Sequence, residues 1–128
     1  MSAASLRARY LGDSVATASP QQLLVMLYDR LALDLERAEE ALVAGNKDVS
    51  HAQLLHAQES VLELRASLQV DVWEGGPRLA ALYSWVLGEL IKANLKGDVR
   101  RVRDSRKIVE PLRDAWREAA ASLAGTPA

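Results

Sequence analysis

Cysteine is absent from the 128 residues. Disulfides, thiol nucleophiles and cysteine-based metal sites are thereby excluded, and a reducing compartment is permitted. Histidine is scarce: there are two, His51 and His56. Five positions apart, they diverge by about 140° on a helix. His56-Ala57-Gln58-Glu59 also reverses the Glu-x-x-His order that di-iron bundles point inward. No metal site and no cofactor are expected. No segment alternates in the Val, Ile and Thr-rich manner of a strand. A glycine-rich phosphate loop following a strand is therefore missing, and the pair Gly75-Gly76 reads as a turn between helices. Nothing marks a nucleophile beside either histidine, so the chain is not expected to be an enzyme and no catalytic residue is named. No run approaches the roughly 18 apolar residues of a membrane span. The first residues hold no basic region followed by a long apolar run, so no signal peptide is expected. The net charge of -1 gives no pull toward nucleic acid or anionic membrane. The basic cluster Arg100, Arg101, Arg103, Arg106 and Lys107 is interleaved with Asp98, Asp104 and Glu110. It reads as a solvated helix face. A cytoplasmic protein without membrane insertion is the expectation.

What is present is punctuation and helical periodicity. Pro20, Gly45, Gly75-Gly76-Pro77, Gly97 and Gly125-Thr126-Pro127 divide the chain into four helical segments. The first opens at Ser19 as N-cap, with Pro20 at the first helical position and Gln22 completing a capping box. Its seam is Leu24, Tyr28, Leu31, Leu35, Ala38 and Leu42, and Gly45 or Asn46 ends it. The second runs from about Asp48 to Gln69, with Ala57, Val61, Leu64 and Leu68 in the seam and Leu54, Leu55 and Leu62 beside it. The third opens at Gly76-Pro77 and closes at Gly97; Leu79, Leu82, Val86, Leu90 and Ala93 form its seam, flanked by Tyr83 and Leu87. Asp98 caps the fourth, which carries Val102, Ser105, Val109, Leu112, Trp116, Ala119 and Leu123. Four amphipathic helices joined by short turns predict an all-α, antiparallel up-and-down four-helix bundle over residues 19–124. Residues 1–18 form an N-terminal arm and 125–128 a tail. Pro111 removes a backbone donor and crowds the carbonyl of Lys107, predicting a kink there or two shorter helices.

Helix 1 has apolar residues in excess. Leu23 to Tyr28 is an unbroken apolar run, more than one core-facing stripe requires. Val25 and Met26 continue through Ala32 and Leu33, and these four surround Asp29 at helical spacing. A carboxylate there is either exposed beside apolar neighbours, paired in the interior, or set on the rim of a groove that accepts another polypeptide. Gln58 stands among Leu54, Leu55, Val61 and Leu62. It is either a core amide bonded to another helix or part of a binding surface. Leu6, Tyr10 and Leu11 of the arm could cover the surplus stripe, which if left bare marks a partner site.

Tyr10, Val15, Thr17-Ala18-Ser19-Pro20, Leu23, Leu24 and Met26-Leu27-Tyr28-Asp29 closely resemble the opening of the FliS family of flagellar export chaperones. Collinear matches continue through Ala57-Gln58, Glu63-Leu64, Gly75-Gly76, Leu82-Tyr83, Ala93-Asn94-Leu95 and Ala115-Trp116-Arg117-Glu118-Ala119. The resemblance implies a four-helix bundle that binds the C-terminal segment of flagellin in the cytoplasm and prevents premature polymerisation. It implies delivery to the cytoplasmic domain of the flagellar type III export gate. Client-binding or arm-docking residues are then expected among Leu6, Tyr10, Val25, Met26, Asp29, Leu54, Leu55, Gln58, Leu62, Tyr83 and Asn94. The chain departs from the family pattern at Arg30, where glycine is usual, at Ser84-Trp85, and at Pro111. The alternatives are a self-associating structural bundle, for which a weak homodimer is the mildest form, and an export chaperone for a different client.

Overall fold

The computed structural model describes residues 19–69 and 74–124. Four helices fill them: α1 (Pro20–Ala44), α2 (Lys47–Ser67), α3 (Gly76–Lys96) and α4 (Val99–Ala124). Each packs chiefly on two neighbours, in the ring α1–α2–α3–α4–α1. This is the four-helix bundle expected from the periodicity. The arm with Leu6, Tyr10 and Leu11, and the tail, lie outside the described residues.

The helix ends follow local chemistry. Ser19 Oγ accepts from the backbone N–H of Gln22, and Gln22 Oε1 accepts from the N–H of Ser19 at 2.9 Å, a complete capping box. Gly45 ends α1 in the left-handed region, φ 74°, where a side chain would be strained. Asn46 serves both helices: its backbone N–H donates to the Ala41 carbonyl at 2.8 Å to close α1, and its side chain caps α2, accepting from Val49 N–H. Gly97 closes α3 at φ 64°, and Asp98 Oδ1 accepts from Arg100 N–H at 3.1 Å. These two glycine turns set the antiparallel order at one end of the bundle.

The core forms from the predicted seams with two changes of phase. Tyr28, Leu31, Leu35 and Ala38 meet Leu54, Ala57, Val61, Leu64, Leu90, Ala93, Val102 and Val109 in one cluster. In α3 the roles of two neighbours are exchanged. Tyr83 is buried and Leu82 only half-buried. The reason is polar: the Tyr83 hydroxyl lies 2.7 Å from that of Tyr28, and the two buried phenols satisfy each other. In α4 the seam fades, and Ala119 is exposed. Helices α3 and α4 leave the Gly97–Asp98 turn together, but α4 has 26 residues and α3 has 21. From about Ala119, α4 has overrun its neighbour. Ser105, fully buried in the α4 seam, donates to the carbonyl of Arg101 at 2.9 Å.

Pro111 lies inside a single continuous α4 rather than between two shorter helices. Both Pro111 and Lys107, whose carbonyl it crowds, are on the exposed side. The Lys107 carbonyl is on the solvent side, where water can satisfy it, so the helix need not end.

Candidate functional site

Among the described residues, apolar side chains are exposed on two opposite sides of α2. The first faces α3. His51 Nδ1 and Asn94 Oδ1 meet at 3.1 Å, which marks the side of each helix that faces the other. Leu55, Gln58 and Leu62 follow His51 in steps of four, three and four, so they continue that side. Ile91 and Leu87 precede Asn94 in the same rhythm. Leu55, Leu62 and Ile91 are 43%, 48% and 41% exposed. A shallow apolar face thus runs between α2 and α3, with Gln58 and Leu87 half-buried along it and the His51–Asn94 pair at one end.

The second is a cleft of about 790 Å3 beside the N-terminal half of α1. Leu23, Met26, Leu27, Asp29 and Arg30 line it from α1, with Glu63 and Ser67 from α2. Met26 is 44% exposed, and Leu33, two turns on, is equally so. The surplus stripe of helix 1 is therefore divided. Ala32 is buried, Val25 is half-buried, and Met26 and Leu33 face solvent. Asp29 forms an ion pair with Arg117 of α4. It is neither a core carboxylate nor an unpaired one: it sits half-exposed at the cleft with its charge matched.

Between these surfaces α1 and α2 are tied by a polar chain. Asp34 is only 3% exposed, and its Oδ2 lies 2.7 Å from His56 Nδ1. His56 Nε2 meets the guanidinium of Arg30. Arginine has no acceptor, so Nε2 accepts and Nδ1 carries the proton donated to Asp34.

The expected site residues therefore separate. Met26, Asp29, Leu55, Gln58, Leu62 and Asn94 sit on or beside the two surfaces, with Val25 behind Met26. Leu54 and Tyr83 are corrections: Leu54 is completely buried and Tyr83 nearly so, because their phase on α2 and α3 points inward. They support the surfaces from beneath. Gln58 is also corrected from a core amide: it is half-buried and makes no hydrogen bond to another helix among the described residues. Burial pushes both phenols, Tyr28 and Tyr83, above the usual tyrosine range. Sequence reasoning missed Asp34 and His56 as partners. Their signal was Asp34 between Leu31 and Leu35, a carboxylate at the edge of the seam.

The family model described as "Flagellar protein FliS" matches residues 2–123. The chain belongs to the FliS family. It is 34% identical over 110 residues to the flagellar secretion chaperone FliS of Escherichia coli, covering 83% of this chain and 79% of that one. It is 29% identical over 110 residues to the protein of the same name from Bacillus subtilis, covering 86% and 82%. A crystal structure of a bacterial flagellar chaperone superposes with a TM-score of 0.73 over 92% of this chain and 97% of that chain, at 19% identity. That likeness shows the fold. The departures named above fall at particular places in this FliS-family bundle. Arg30 lines the cleft, Trp85 is 44% exposed on α3, and Pro111 faces solvent. Among the described residues, no helix is long and apolar enough to cross a membrane.

Proposed function

We propose that this chain is a flagellar export chaperone that holds the C-terminal segment of flagellin. In this reading it keeps the subunit from polymerising in the cytoplasm and delivers it to the export gate. The observation that carries the reading is the pair of exposed apolar surfaces flanking α2. A protein seldom leaves aliphatic surface exposed on two sides of one helix unless a partner covers it. The family's relatives, by name secretion chaperones, supply the class of partner.

The mode is helix-in-groove recognition. Flagellin's terminal segment is amphipathic and needs an apolar counterface. Taking one half-exposed leucine of this chain to full burial yields about 1 kcal/mol. Several such contacts must offset the ordering of a flexible client. The balance is moderate affinity, which suits a cargo that has to be released. Release then rests on hand-over at the gate.

The test is light scattering after size exclusion, with and without a flagellin C-terminal peptide. A monomer that shifts only with peptide supports the chaperone. A stable dimer indifferent to peptide supports the self-associating bundle instead. Leu55→Asp and Leu62→Asp should each weaken peptide binding at least about tenfold. Their melting temperatures should stay near wild type, because both side chains are exposed.

A further inference from the structure

The cleft beside α1 is apolar at its floor but carries two charges without an ion-pair partner among the described residues. Asp29 is taken by Arg117. Arg30 has no carboxylate within ion-pair distance among the described residues. Its partner among the described residues is the His56 ring, and the next carboxylate, Asp34, lies beyond that ring and is buried. Glu63 across the cleft has no ion-pair partner among the described residues either. A free surface arginine is ordinary. This one is held: the imidazole, itself fixed by Asp34, accepts from the guanidinium and keeps it at the cleft. Four of its five N–H donors remain available.

We infer that Arg30 is a specificity-determining residue that reads a carboxylate on the bound client segment. The occupant that fits is an amphipathic helix whose apolar side covers Leu23, Met26 and Leu27. An Asp or Glu at the border of that side would meet Arg30, and a basic residue would meet Glu63. The inference rests on the reading of this cleft as part of the client surface. Ion pairing at a groove edge selects register and partner more than it adds affinity, so the arginine would fix where along the segment the chaperone sits.

The experiment measures binding of a flagellin C-terminal peptide by fluorescence anisotropy at low and high salt. The peptide is used in its natural form and with its Asp and Glu changed to the amides. Arg30→Ala should weaken binding of the natural peptide about three- to tenfold at low salt. The loss should shrink as salt screens the pair. The amide peptide should bind wild type and Arg30→Ala equally. Arg30→Glu should be weaker still, and a peptide with Lys in place of the contacted acid should recover it. Met26→Asp serves as the control for the cleft. If Met26→Asp weakens binding and Arg30→Ala does not, the arginine reads nothing while the cleft remains a client surface. If neither matters, the cleft itself is not engaged and the inference falls with it. If Arg30→Glu tightens binding, the cleft belongs to the chain's own N-terminal segment, which carries Asp13, and the inference is overturned.

Discussion

Replacing His56 with alanine should destabilise the bundle more than replacing Asp34, although Asp34 is the more deeply buried. His56→Ala leaves a carboxylate that is 3% exposed without its hydrogen-bond donor. Stranding a fully buried charge costs about 3–5 kcal/mol. The His56 side chain is itself 39% exposed, so its removal admits some water, and about 2–3 kcal/mol is the expected loss. Asp34→Ala removes the charge together with its need. What is lost is one hydrogen bond to an imidazole that can turn to solvent, about 1 kcal/mol. The double variant should then be more stable than His56→Ala alone, because there is no longer a stranded carboxylate. Urea unfolding followed by far-ultraviolet circular dichroism measures all four proteins. For a domain of this size each kcal/mol moves the melting temperature by roughly 3–5 °C. His56→Ala should therefore melt roughly 6–15 °C lower than wild type. If Asp34→Ala is the worse single variant, or the double is the worst of the three, the carboxylate is not held by the imidazole and the reasoning fails.

Neighbouring leucines on α2 should behave oppositely. Leu54→Ala opens a cavity in the core and should cost about 2–5 kcal/mol by denaturant titration. Its effect on peptide affinity should be small once the protein is folded. The tyrosine pair sets an alkaline limit. Both phenols are held above their ordinary range by burial. Above a pH of about 10 the unfolded chain therefore releases these protons while the folded one keeps them. Their contribution to stability is full below that pH and is lost above it, at up to about 2.7 kcal/mol per pH unit for the pair. Tyr83→Phe should halve that slope in melting curves collected between pH about 9 and about 11. An unchanged slope would mean that other groups govern the alkaline transition.

The fold was legible because its signals are local. Ser19-Pro20-x-Gln22, Gly45, Gly97 and Asp98 each act within a few residues, and the seams of α1 and α2 repeat regularly enough to fix their phase. Where reading failed, the deciding interaction lay between helices. Leu82 and Tyr83 are adjacent apolar candidates, and only the hydroxyl of Tyr28, 55 positions away, decides which turns inward. Asp34 and His56 look like surface residues one helix at a time. Leu54 and Leu55 are the same residue type, yet the helical turn between them puts one in the core and leaves the other exposed. The surplus of helix 1 was visible as a run of apolar residues. Its division between α4, the cleft and solvent needed the neighbours in place.

Helix α2 is a wall common to both exposed surfaces. Leu55 and Leu62 belong to its α3 side, and Glu63 and Ser67 to its α1 side. Under the proposed function, a segment seated against one side of α2 bears on the same helix that forms the other surface. If occupation of one shifts α2, the two surfaces are energetically linked, and such a linkage is reciprocal. Filling one changes the affinity of the other by the same factor in either order. A client that occupies both binds as a single cooperative unit, and the loss of either contact loosens the whole.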